Sequence, residues 1–310
     1  MHIDLKTVKI NPLRQTFANV ADRLGGDKPA SRYQEATLGL QPEANFHYRP
    51  TWDPGHELFD PSRTAIRMKD WYALKDPRQL YYGNWTMTRA RQQDAMESNF
   101  DFVETRGLAA TLPAELKSTA LHLLLPLRHV AWGANMNNFS ICAYGYGTAI
   151  TAPSSFHAMD QLGIAQYLTR LGLLLAGPES LDIAKQAWKQ PEWQGLRHYV
   201  EDSFVLSDWF MLYVVQNFAL DGLLYPLVYD RIVDDHLAMR NGSAVAMLTA
   251  FMTEWYGESA KWVDAQIKIA AAESPANREL LSEWTRTWRD RALSALVPVA
   301  AMALGEQAQA

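Results

Sequence analysis

Two stretches, Phe210-Met211-Leu212-Tyr213-Val214-Val215 and Leu223-Leu224-Tyr225-Pro226-Leu227-Val228, are apolar on every face a helix could present. A helix apolar all round must be enclosed by other helices. The pair lies within residues 86–305, which read as successive helices, and several long helices of this kind imply a bundle with covered central members. The expected fold is therefore all-α. The first helix spans 86–107, where Met96, Phe100 and Val103 recur at the helical period. A second runs from Pro113 towards Thr151, kinked at Pro126. Pro153-Ser154-Ser155 reads as a stop followed by a cap for a helix over 156–176. A short helix covers about 179–189. A long one runs from Pro191 to about Arg240, with a break at Asp221-Gly222 or Pro226. Helices over 244–272 and 277–304 close the chain.

Residues 1–85 differ in kind. They hold Pro12, Pro29, Pro42, Pro50, Pro54, Pro61 and Pro77, a density that stops long helices. They are too aromatic for a solvated tail. The chain thus divides into an extended Pro- and aromatic-rich N-terminal arm, 1–85, and a helical bundle, 86–310. Such an arm needs a surface, either its own bundle or another chain, and a mixture of both is expected. Its candidate interface residues are Phe46, Tyr48, Trp52, Phe59, Trp71 and Tyr72, since aromatic side chains are enriched where proteins meet.

A net charge of −5 and a pI near 5.9 do not suit a nucleic-acid binder. No apolar signal core opens the sequence, and the longest apolar runs carry Arg128, Asp208, Asp221 or Glu254, so no membrane span is expected. The single cysteine, Cys142, sits among small apolar residues, where nothing would activate a thiol, and it fits a reducing cytoplasm.

Long helical bundles can hold a carboxylate-bridged metal pair, for which Glu-x-x-His puts two ligands on one helical face. Asp53 and His56 have that spacing only in a loop containing Pro54 and Gly55. Two helical places look like the motif with its histidine replaced by glycine: Asp160 with Gly163, and Glu254 with Gly257. A helical glycine costs about 1 kcal/mol relative to alanine, so close packing at these positions is one expectation and ordinary helix contact another. His129, His157 and His236 are isolated. The residues alone leave open an autonomous di-iron protein with divergent ligands (Asp160, His157, Glu254, His129), and also a helical scaffold or binding protein.

Several strings resemble the β subunit of the hydroxylase component of bacterial multicomponent phenol hydroxylases, relatives of toluene and methane monooxygenase hydroxylases. They are residues 3–7, 12–17, 27–37, 45–54 (Asn-Phe-His-Tyr-Arg-Pro-Thr-Trp-Asp-Pro) and 89–94, continuing to Glu254-Trp255 and 262–265. The resemblance implies a ferritin-like bundle and a non-catalytic subunit with no cofactor of its own. It implies a hydroxylase built as a dimer of αβγ protomers, with the di-iron centre in the catalytic α subunit. It further implies a reductase carrying flavin and an iron–sulfur cluster, a small regulatory protein, and conversion of phenol to catechol with O2 and NAD(P)H. Under it, Asp160/Gly163, Glu254/Gly257, Gln216 and the region of His129 occupy vestigial ligand positions.

Overall fold

The structure, a computed structural model, describes residues 16–26, 28–43 and 47–309, and among these every regular element is helical. Two short helices, α1 (Ala18–Leu24) and α2 (Arg32–Thr37), precede the bundle. The bundle proper comprises α3 (Tyr82–Thr105), α4 (Leu108–Thr111), α5 (Ala114–Thr119), α6 (Leu127–Tyr144), α7 (Thr148–Ala176), α8 (Glu179–Ala187), α9 (Pro191–Ser203), α10 (Trp209–Arg240), α11 (Ser243–Glu273) and α12 (Pro275–Leu304). Two helix hairpins, α6–α7 and α10–α11, pack face to face as a four-helix frame; α3 lies over α7 and α11, while α9 and α12 cover the far side. This is the ferritin-like arrangement.

The frame departs from the sequence reading at its turns. The expected break at Pro153 lies instead at 145–147. There Gly145 donates its N–H to the Ile141 carbonyl at 2.8 Å, and Gly147 takes φ +87°, a region that favours glycine. Pro153 sits inside α7 just past its first turn, where it removes one helical N–H bond without ending the helix. The expected breaks at Asp221 and Pro226 are also absent. The interruption falls at 204–208, where Asp208 opens α10 by accepting N–H bonds from Phe210 and Met211, both 2.9 Å. Past it α10 continues, winding as π-helix over Val214–Leu220 and Pro226–Leu237, and that wider winding accommodates the proline without a break. By length and composition α10 could cross a membrane, but 67% of its most apolar window is buried against other helices.

Over residues 60–81 the arm wraps the bundle of its own chain. Trp71 packs 5.5 Å from Trp209 and 5.9 Å from Tyr146, in a cluster with Ile66, Leu74, Phe210, Tyr213 and Trp262. Full burial of an aliphatic side chain such as Ile66 or Leu74 contributes about 1.5–3 kcal/mol. Tyr72 is buried too, beneath the Arg23 guanidinium at 4.5 Å. Main-chain groups are tied in turn: Ala65 donates to Asp208, Arg67 exchanges bonds with Asn277, Lys69 donates to Glu273, and Gln266 donates to the Lys75 carbonyl. Trp71 and Tyr72 are therefore core residues of this chain and correct the interface expectation. Phe59 is half-buried, Tyr48 is exposed and Trp52 is 72% exposed. Phe46 lies outside the described residues.

Helix α6 crosses α9 at Gly133, where an added Cβ would meet Val200 Cγ1 at 2.5 Å. Valine is stiff at χ1 and cannot swing aside. Gly133→Ala is expected to destabilise the chain by about 1–3 kcal/mol despite alanine's better helix propensity. A lowered urea midpoint checks this, and an unchanged or raised midpoint contradicts it.

Candidate functional site

The interior of the frame is crossed by a belt of buried polar side chains, and its anchor is Asp160 on α7, 4% exposed. Arg89 of α3 grips the carboxylate in bidentate fashion, Nε to Oδ1 and Nη2 to Oδ2, each 2.8 Å. The indole N–H of Trp85 adds a bond to Oδ1 at 3.0 Å, and that of Trp255 on α11 one to Oδ2 at 2.9 Å. Four donors from two neighbouring helices thus converge on two oxygens. Arg89 also reaches Gln92 at 2.6 Å and Glu258 at 3.1 Å. Burial alone would lower its pKa, but the carboxylates hold it above its usual value.

One turn deeper, Asp221 of α10 is the second node. Gln216 donates to its Oδ1 at 2.9 Å and Gln161 of α7 to its Oδ2 at 3.4 Å. Gln161 accepts from the Tyr225 hydroxyl at 3.1 Å, while Gln216 accepts from Asn137 of α6, which also donates to Ser203 of α9, both 2.8 Å. Asn138 and Asn217 exchange paired amide bonds of 2.9 Å, and Asn135 donates to the Ala158 carbonyl at 2.7 Å. Burial pushes the Asp221 carboxyl up to about 8, with the Gln216 bond opposing, so it is largely protonated at neutral pH. His157 stands 3.7 Å away, packed between Trp255 and Trp262 with neither ring nitrogen bonded. Burial holds it neutral, well below its usual pKa, and Arg78 and Arg89 add to the effect.

These residues do not fit a dinuclear iron site. Both oxygens of Asp160 are engaged by a cation and two indoles, and Gln216 and Gln161 are neutral amides spent on Asp221. Two iron ions need several anionic oxygen donors free to turn towards them. Among the described residues no three His, Cys, Asp or Glu side chains form a metal-holding group.

Of the expected ligand positions, Asp160 and Gln216 lie in this interior and the others do not. Glu254 and Gly257 are exposed, because turning Trp255 inward carries its neighbour Glu254 outward. The close packing entertained for the two glycines is also absent: a Cβ on Gly163 or Gly257 would meet nothing within 4 Å. His129 packs 5.4 Å from Trp188 on the outer side of α6, its pKa lowered to about 4 by burial, with Arg128 assisting. Cys142 is half-buried with its thiol pushed up by burial, as its surroundings suggested. Sequence reasoning missed Trp85, Asn137, Gln161 and Asp221. The signals were present: adjacent asparagines in an apolar helix, and Gln216–Asp221 spaced five apart, the repeat of the π-helical ring.

Comparison with known proteins gives this geometry its setting. The family of methane, phenol and alkene hydroxylases matches residues 52–274. The chain belongs to that family. It is 54% identical, over 98% of its length and 92% of the relative's, to the oxygenase component DmpL of phenol 2-monooxygenase from Pseudomonas sp. (strain CF600). It is 48% identical, over 98% and 92%, to the corresponding component MhpL from Acinetobacter pittii (strain PHEA-2). Its backbone superposes on a chain of xenon-pressurized phenol hydroxylase from Pseudomonas sp. OX1 with a TM-score of 0.92, at 45% identity over 98% of this chain and 93% of that one.

Removing the cation from the Asp160 clamp leaves a buried carboxylate uncompensated. Arg89→Met is expected to cost about 3–5 kcal/mol, and Asp160→Asn in the same chain to restore part of it. Additive losses in the double-variant cycle would contradict the clamp.

Asp221 makes a signed pH prediction. Below its ordinary value of 3.8 the group is protonated in both folded and unfolded chains. Between there and about 8 the unfolded chain ionises first, so stability falls as pH rises, then levels off. Asp221→Asn lacks this loss. Its unfolding midpoint relative to the parent should rise across that window and stay flat above it. A pH-independent difference would refute the assignment.

Proposed function

We propose that this chain is the non-catalytic β subunit of a cytoplasmic multicomponent phenol monooxygenase, supporting a separate catalytic subunit. What carries the reading is 54% identity to a phenol 2-monooxygenase oxygenase component along nearly the whole chain, joined to an interior whose polar groups are spent on one another. In this reading the α subunit holds the di-iron centre and oxidises phenol to catechol with O2. Electrons from NAD(P)H arrive through a reductase with flavin and an iron–sulfur cluster, and a regulatory protein docks on the hydroxylase. This chain supplies a rigid bundle, and residues 1–85 an arm whose wrapped part steadies the bundle while the exposed Tyr48 and Trp52 reach the dimer of αβγ protomers. Asp160 and Gln216 are then remnants of ligand positions, taken over by hydrogen bonds within the chain.

Co-expression with the neighbouring oxygenase genes tests this. Phenol hydroxylation should require the chain, the chain should co-purify with a larger iron-bearing subunit, and deletion of residues 1–50 should lower recovery of that complex while leaving the bundle's helix content largely intact. Activity undiminished without the chain, or stoichiometric iron on the separated chain, would falsify it.

A further inference from the structure

A cavity of about 630 Å³ opens between α8, the start of α9 and the end of α12, and the buried polar belt contributes nothing to it. Small-molecule sites enclose roughly 300–1,000 Å³. Its walls are apolar: Ile183 and Ala187 of α8, Trp193 of α9 and Met302 of α12. Two exposed carboxylates, Asp182 and Glu192, also line it, and no lysine or arginine does.

Trp193 is the unusual member. It is 1% exposed, yet its indole N–H finds no acceptor among the described residues. A buried indole N–H ordinarily has a partner, because a dry donor forfeits its bond to water. Trp209 and Trp262 share the deficit, but both are enclosed among core rings, whereas Trp193 borders open space. The ring is held in place: Trp188 packs against it at 5.6 Å, and His129 against Trp188 at 5.4 Å.

The lining specifies the chemistry of an occupant. It must accept from an N–H and donate to a carboxylate. A hydroxyl does both, whereas an ammonium has no lone pair for the indole. Carboxylates without a neighbouring cation turn anions away. The indole and the Met302 thioether both pack well on an aromatic ring. We propose that this cavity binds a neutral aromatic alcohol. Its oxygen accepts the Trp193 N–H, its hydroxyl donates to Asp182 or Glu192, and its ring lies against Ile183, Ala187 and Met302. The site stands apart from the oxygenase chemistry proposed above and does not depend on it.

The test is equilibrium dialysis of radiolabelled phenol against the protein as purified, with whatever subunits accompany it. Binding should include one equivalent per copy of this chain that weakens about tenfold in Trp193→Phe, which keeps the aromatic wall and removes the donor. Asp182→Asn with Glu192→Gln, two exposed changes that leave the core untouched, should weaken the same equivalent by a similar factor. Benzene, which lacks the hydroxyl, and benzoate, which carries the wrong charge, should each displace it at least about tenfold less well than phenol. An isotherm unchanged in either variant, or displacement by benzene as readily as by phenol, would overturn the proposal. Should Trp193→Phe fail to fold, the carboxylate variant decides alone. Purification without a larger subunit, or absence of phenol hydroxylation, would sink the proposed function and leave this binding count to be judged by itself.

Discussion

A single buried carboxylate, Asp160, sets the geometry of the frame. An ionised carboxylate in an apolar interior costs several kcal/mol unless it is paired and hydrogen-bonded. Here the guanidinium of Arg89 and the indoles of Trp85 and Trp255 meet that requirement from outside α7. The demand fixes three things at once. Helix α3 must lie across α7 so that Trp85 and Arg89 can reach. Trp255 must point inward, and Glu254, one residue away on α11, must then face solvent. Arg89 in turn draws Glu258 to the same side of the bundle.

Deeper in, the belt is neutral. Amides from α6, α7 and α10 bond one another around a protonated Asp221, and the Tyr225 hydroxyl closes the network. A buried hydrogen-bonded network of this extent ties the four helices to one another, while His157 beside it keeps both ring nitrogens unbonded. Side chains so engaged are not free to turn towards an incoming ion. The four helices of the frame are therefore fastened to one another.

Much of this architecture was legible in the sequence. The all-round apolar character of 210–215 and 223–228 required an enclosed α10, and the helical period of Met96, Phe100 and Val103 placed α3. The turns were harder to read. Pro153 and Pro226 look like stops, yet one falls inside α7 and the other in the π-helical winding of α10, and neither ends its helix. Gly145 and Gly147 marked the true α6–α7 turn, but Pro153 with the serines after it looked like the stronger stop. Polar nodes such as Asp221 are invisible to periodicity, because one acid followed by a glycine reads as an interruption until its partners on other helices are known. For the same reason Trp71 and Tyr72 looked like interface residues: composition counts aromatics without saying which face they meet. Glycines at the ligand spacing gave the right helices and, on α11, the wrong face.

The central claim is that the interior donors of this chain are committed to one another and hold no metal. Anomalous diffraction at the iron edge, from crystals of the assembled oxygenase, tests it most directly. The account predicts no iron peak within the α6, α7, α10 and α11 frame of this chain, between Asp160 and Asp221, with the peaks confined to the larger subunit. A peak inside this frame at full occupancy would contradict it.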